Sequence, residues 1–153
     1  MLVDWLFGFK QFMLERGYTE QDDTGYAIWK RYDFINKEAG EDLVREFNNS
    51  AAMAYLTPHL DAVKYVKKIH EELGYVFRVI TSMSLNKYAY KARLKNLHDL
   101  FGESVIDELV CLDTGADKDE ALEPYRNSNC IWVEDKYKNA QLGKDIGLDA
   151  FLI

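Results

Sequence analysis

The sequence predicts an α/β fold, built as a doubly wound parallel sheet with a small all-helical insert in the N-terminal third. From residue 60 onward, helical and strand periodicities alternate along the chain with short connections. That alternation is typical of a parallel sheet covered by helices on both faces. Residues 18–57 show helical patterns without a strand pattern. With 153 residues the chain is long enough for one domain with a real core and too short for two full domains.

The first stretch of the chain predicts an amphipathic helix. Its apolar residues recur at spacings of three and four, namely Leu2, Trp5, Leu6, Phe9, Phe12 and Met13. Asp4 and Lys10 interrupt the stretch, and no basic segment or small-residue cleavage site accompanies it. We therefore expect neither a secretory signal nor a membrane span here. We expect the buried face of this helix to pack on the sheet.

The insert, residues 18–57, predicts two helices at about 25–36 and 41–47. It is rich in aromatic residues, which are Tyr18, Tyr26, Trp29, Tyr32, Phe34, Phe47 and Tyr55. We favour the interpretation that these rings form the core of the insert, because aromatic side chains dominate small cores. The alternative is that one or more of them stack on a nucleobase.

The predicted α/β core consists of residues 1–17 and 58–153, and its remaining elements follow in order along the chain. A helical stripe of Leu60, Val63, Val66, Ile69 and Leu73 ends at Gly74, a C-cap signal. The later predictions are a strand at 75–81, a helix at 87–101, a strand at 104–112, a helix at 117–125, a strand at 129–135, a helix at 139–146 and a strand at 149–153.

Composition excludes some classes of function. The 26 acidic residues outnumber the 19 Lys and Arg, and the net charge of -7 argues against a protein that coats polymeric nucleic acid. Cys111 and Cys130 lie in apolar runs, so we expect two buried thiols, no disulfide framework and a cytoplasmic location. The three histidines, His59, His70 and His98, lack the spacing of zinc ligands.

Polar side chains follow three strands of the predicted sheet. Thr81-Ser82 ends the first, Lys118 follows the second, and the acidic pair Glu134-Asp135 ends the third. Functional groups of parallel sheets gather at the carboxyl ends of the strands, and a hydroxyl, a cation and two carboxylates suit Mg²⁺ together with phosphate. Each has a plainer interpretation: Thr81 as a helix cap, Lys118 as a solvated residue, and the acids as favourable charges at a helix N-terminus.

The order of these segments resembles a known family. ITSMS, GADKDEAL and IWVEDKYKNAQLGKDIGL are similar to motifs II, III and IV of the haloacid dehalogenase (HAD) superfamily of phosphohydrolases, and most similar to its 5'(3')-deoxyribonucleotidase branch. FNNSAAMAYLTPHLDAVKYVKKIHEELG resembles the stretch of those enzymes that leaves the helical cap and re-enters the core. The resemblance implies a Rossmann-like, HAD-like core in which residues 18–57 form the cap.

The resemblance also implies a chemistry, which is Mg²⁺-dependent hydrolysis of nucleoside monophosphates through an aspartyl-phosphate. Carried over, Thr81 and the amide of Ser82 bind the phosphoryl group and Lys118 clamps it. Asp135 ligates Mg²⁺ with Glu134 beside it. The Glu-Asp pair replaces the Asp-Asp of many relatives, which preserves two carboxylates.

The family's nucleophile belongs to motif I, a strand that ends in D-x-D-G, and no D-x-D precedes Thr81. Leu2-Val3-Asp4-Trp5 resembles the residues that follow this motif, so we expect the nucleophile strand to lie upstream of Met1. A chain truncated in this way should show no turnover. It should also self-associate, because loss of the central strand exposes sheet edges. The alternative is an inactive phosphate-binding, metal-binding or interaction protein on the same scaffold. A response-regulator receiver ranks lower because its acids precede its Thr and Lys. A dinucleotide-binding domain ranks lower because the chain lacks G-x-G-x-x-G.

Overall fold

The computed structural model describes residues 1–21 and 28–153, and they form a mixed α/β structure. The α-helices are α1 (Trp5–Glu15), α2 (Ile28–Arg31), α3 (Lys37–Asn48), α4 (Ala62–Leu73), α5 (Lys87–Phe101), α6 (Asp119–Leu122) and α7 (Tyr137–Asp145). Short 3₁₀ turns span Ala51–Ala54 and Glu123–Tyr125. The strands are β1 (Phe77–Ser82), β2 (Ile106–Leu112), β3 (Ile131–Glu134) and β4 (Asp149–Leu152).

The strands form two parallel pairs, which confirms the α/β prediction at the level of class. β1 pairs with β2, with Thr81 opposite Cys111, and β3 pairs with β4, with Val133 opposite Phe151. Each pair is parallel because a helix connects its two strands, α5 in the first and α7 in the second. Within the described residues, the two pairs are separate two-stranded sheets.

Helices cover both faces of the β1–β2 sheet. On one face, Val79 joins a cluster with Val66 of α4 and Leu97 of α5. Ile80 points to the opposite face because strand side chains alternate, and there it packs with Leu122 and Ile146. This second cluster also contains Trp132 of β3, so it joins the two sheets through side chains.

Helix α1 begins later than its apolar pattern suggests and packs against α3. Asp4 is its N-cap, and the carboxylate accepts the N–H of Phe7 at 2.9 Å. Val3 instead forms an antiparallel bridge with Pro58. The buried face of α1 contacts α3, with the rings of Phe9 and Phe47 5.4 Å apart. The rings of α1 thus join the aromatic core of the helical insert, and the same cluster includes Cys111 of β2 and Met83, which follows β1.

The aromatic residues of the insert act mainly as core residues. Phe47 and Tyr32 are buried, and Tyr18 and Phe34 pack against their cluster. Tyr55 differs, because 76% of it is exposed. Tyr26 and the side chain of Trp29 lie outside the described residues, as do residues 25–27 of the predicted helix at 25–36.

Most other elements lie within a few residues of their predicted bounds, and α5 matches its predicted range. Some residues differ in burial, among them Leu73 of the predicted stripe and Leu6 of the first helix, which are exposed. Leu60 is fully exposed because α4 begins at Ala62, and Cys130 is exposed because it precedes β3 in a turn region. The prediction of a buried thiol is thus wrong for Cys130, whereas Cys111 is half-buried. Among the helices in the described part of the chain, none has the length and apolar character needed to cross a membrane.

Candidate functional site

A buried ion pair lies at the centre of the candidate site. Lys118 is the N-cap residue of α6, and Glu134 is the last residue of β3. The Lys118 Nζ donates to Glu134 Oε2 at 2.6 Å, and the two side chains are 11% and 2% exposed. Lys118 is therefore not a solvated residue at the start of a helix. It is held against the end of β3 by a carboxylate that water barely reaches.

Glu134 is saturated with hydrogen bonds. While Oε2 accepts from Lys118, Oε1 accepts the backbone N–H groups of Asp135 at 3.2 Å and Lys136 at 3.4 Å. A buried carboxylate requires such partners because an unpaired charge in this environment is costly. Glu134 thus orients Lys118 and the turn that follows β3.

Trp132 forms one wall of the ion pair. The Lys118 ammonium lies 5.3 Å from the centroid of its ring, within the range of a cation–π contact. The indole N–H donates to the carbonyl of Asn139 at 3.1 Å. Helix α7 approaches the ring closely at Gly143, where an added Cβ would lie 2.5 Å from the indole Cδ1. Packing against α7 therefore fixes the ring beside Lys118.

Asp135 supplies an accessible carboxylate beside the ion pair. Partial burial raises its pKa, but a hydrogen bond from its own backbone N–H and the positive charges of the Met1 amino group and Lys118 outweigh that effect. The pKa of Asp135 consequently lies below its usual range, so the side chain is ionised at neutral pH. An exposed, ionised carboxylate at a strand end is suited to a hard cation.

The donor set fits Mg²⁺ in part. Within residues 1–21 and 28–153, no three His, Cys, Asp or Glu side chains form a ready metal site. Mg²⁺, however, commonly binds through one or two carboxylates and completes its shell with water and substrate phosphate. Asp135 can serve in that way. The oxygens of Glu134, the second predicted ligand, are already occupied by Lys118 and backbone N–H groups.

The two predicted hydroxyl residues end β1, and Ser82 is linked to the rest of the site. Its hydroxyl donates to the carbonyl of Ala116 at 2.7 Å, two residues before Lys118. In the described part of the chain, Thr81 has no direct hydrogen bond to Lys118, Glu134 or Asp135. The structure thus joins Lys118, Glu134 and Asp135 directly and ties Ser82 to them through a loop. Thr81 lies next to Ser82 at the end of β1, in the other two-stranded sheet from Glu134.

Sequence reasoning missed Asn48, at the end of α3. Its carboxamide is buried and donates to the carbonyl of Met83 at 3.1 Å and to the hydroxyl of Thr114 at 3.3 Å. It also accepts the indole N–H of Trp5 at 2.8 Å. The pattern offers only a weak signal, an Asn-Asn-Ser run at the end of a helical stretch, because the partners lie 35 to 66 residues away along the chain.

An open groove of about 490 Å³ adjoins the ion pair between α6 and α7. Lys118 and Asn139 line it together with exposed residues of both helices. Comparisons of the chain with protein-family models, with curated proteins and with solved structures returned no match. The functional assignment therefore depends on the motifs and on the geometry described above.

Proposed function

We propose that this chain is the core of a HAD-like phosphohydrolase that acts on nucleoside monophosphates with Mg²⁺. The observation that carries the proposal is the Lys118–Glu134 ion pair with the ionised Asp135 beside it. A lysine whose ammonium is held at a strand end by one carboxylate, next to a second carboxylate that remains accessible, matches what phosphoryl transfer requires: a fixed positive charge and a cation ligand.

In this proposal each residue has a distinct role. The Thr81 hydroxyl and the Ser82 amide bind phosphoryl oxygens, and Lys118 neutralises the charge on those oxygens. Glu134 orients Lys118, and Asp135 would hold the metal. Mg²⁺, when bound, neutralises the transferring phosphoryl group.

The nucleophile is proposed to lie on a further strand, between β1 and β3. In the described residues, β1 pairs with β2 and β3 pairs with β4, so each has a side available to another strand. A parallel strand inserted there would unite the two pairs into a single doubly wound, Rossmann-like sheet.

A second function has one observation in its favour. No D-x-D precedes Thr81 in this sequence, so the chain itself supplies no motif I nucleophile. The second candidate is a protein that binds phosphate and a divalent cation at these strand ends without turnover.

Phosphate binding by the chain tests both candidates. Inorganic phosphate and Mg²⁺ are titrated into the protein while the backbone amide shifts are followed by NMR, and both candidates require changes at Ser82 and near Lys118. Thr81→Ala and Asp135→Asn should each weaken the binding measured in this titration at least tenfold. Asp61→Asn is the matched control, because Asp61 is exposed and its side chain makes no capping hydrogen bond. Equal binding by all variants would exclude the site.

Turnover then separates the two candidates. The chain should not hydrolyse p-nitrophenyl phosphate or nucleoside monophosphates. A version extended by the upstream in-frame coding sequence should do so if that sequence encodes an apolar strand ending in Asp-x-Asp-Gly. An unrelated upstream sequence or a stop codon would favour the binding protein. Turnover by the chain itself that is lost in Asp135→Asn would show that another acid acts as nucleophile.

A further inference from the structure

We propose that Asn48 is a positioning residue that couples the helical insert to the loop after β1. Through this loop the insert determines the positions of Thr81 and Ser82 at the end of β1. This proposal rests on the proposed function, because it assigns those two residues to phosphate binding. Asn48 itself touches no predicted site residue. It acts through the loop of residues 83–86.

The first step is the carbonyl of Met83, the residue that follows Ser82. This carbonyl accepts two hydrogen bonds, one from the Asn48 carboxamide at 3.1 Å and one from the Thr114 hydroxyl. The N–H of the same residue donates to Leu112 at 2.9 Å. Met83 is thereby held on both sides, which fixes the direction in which the chain leaves β1.

The second step is the connection to the insert. The Asn48 carbonyl oxygen accepts the indole N–H of Trp5 in α1 at 2.8 Å, and the next residue, Asn49, accepts the Ser84 hydroxyl at 2.6 Å. The Ser84 hydroxyl in turn accepts the N–H of Asn86 at 3.0 Å. Asn48 and Asn49 at the end of α3 are therefore tied to the loop 35 residues away along the chain, and Trp5 ties α1 to Asn48.

The third step is the loop that carries Lys118. Thr114, which binds both Asn48 and Met83, lies in this loop, and the Ser82 hydroxyl binds the carbonyl of Ala116 in it. Loss of Asn48 would therefore loosen the end of β1 and the approach to Lys118 together. Because Asn48 is only 3% exposed, water cannot readily replace its hydrogen bonds.

Amide hydrogen exchange tests the coupling without reference to phosphate. The reporter is the Met83 N–H, compared with the amide of Leu97, which lies in the core of α5. Asn48→Leu should accelerate exchange at Met83 at least tenfold while Leu97 changes less than twofold. Thr114→Val is a milder variant for use if Asn48→Leu does not fold. It should accelerate amide exchange at Met83 about threefold. Thr57→Val is the control, because Thr57 is exposed, and it should change neither amide.

Phosphate titration of the same variants tests the consequence for the site. If the wild-type chain binds inorganic phosphate, Asn48→Leu should weaken that binding at least fivefold and Thr57→Val should leave it unchanged. If the wild-type chain does not bind phosphate, the proposed function fails, and the exchange experiment still decides the coupling. Equal acceleration at Met83 and Leu97, or no acceleration at Met83, would overturn the proposal by showing that Asn48 stabilises the whole fold or does not hold the loop.

Discussion

Replacement of Lys118 with methionine should destabilise the protein far more than removal of a surface lysine does. The substitution keeps a chain of similar length but leaves the Glu134 carboxylate, 2% exposed, without its counter-ion. Breaking a buried pair in this way costs about 3–5 kcal/mol. Glu134 retains hydrogen bonds from two backbone N–H groups. We therefore expect a loss near the lower end of that range, about 3 kcal/mol.

Urea unfolding followed by circular dichroism measures this loss. At a slope of about 1.5 kcal/mol/M, a loss of about 3 kcal/mol lowers the midpoint by roughly 2 M. Lys138→Met is the matched control, because Lys138 pairs with Asp117 at 2.7 Å on the surface, where the side chains are 74% and 63% exposed. Its loss should be at most about 1 kcal/mol.

A double variant separates the buried charge from lost packing. Lys118→Met combined with Glu134→Gln removes the unpaired charge and keeps an acceptor for the two N–H groups, so it should recover at least half of the loss. A Lys118→Met protein as stable as the Lys138→Met control would refute the reasoning, because the pair would then be effectively solvated. If the double variant is no more stable than Lys118→Met, the loss of stability comes from lost packing against Trp132 and not from the buried charge.

Three further predictions concern other parts of the molecule. At neutral pH, iodoacetamide should modify the exposed Cys130 at least about tenfold faster than Cys111, because burial raises the pKa of the Cys111 thiol. Peptide mass spectrometry gives the two rates, and equal rates would contradict this prediction. Asp4→Ala should cost about 1 kcal/mol in urea unfolding through loss of the α1 N-cap, and an unchanged midpoint would show that the cap contributes nothing. Gly143→Ala should destabilise by about 1–3 kcal/mol although alanine favours helices, because its Cβ would meet the indole of Trp132; a stabilised variant would mean that the ring can move aside.

The local structure was largely predictable because periodicity and capping act over a few residues. Helix α5 follows from its apolar spacing and from Gly102, whose backbone φ of 107° suits glycine. The alternation of helices and strands predicted parallel pairing, which the structure bears out in both pairs. Packing between distant segments was less predictable. The rings of α1 face α3 because of an aromatic cluster whose members are scattered along the chain.

The site was predictable as a set of residues but not as a set of contacts. Lys118 and the acidic pair could be proposed from their positions after strands. Which carboxylate pairs with the lysine depends on side-chain direction at the end of β3, where Glu134 points inward and Asp135 remains exposed. Asn48 could not be found in this way, because its role depends on carbonyl and hydroxyl groups in two other loops.

The separation of the strands into two pairs has a consequence for which interactions stabilise the molecule. Each pair with its helix is a short β-α-β unit whose strand-ladder hydrogen bonds join only its own two strands. Among the described residues, the two units are held together by the apolar cluster around Ile80 and Leu122 and by the Lys118–Glu134 pair. In this part of the chain, no strand ladder joins them. Side-chain packing and this ion pair therefore hold the C-terminal unit, whose strands are four residues long, against the rest of the structure.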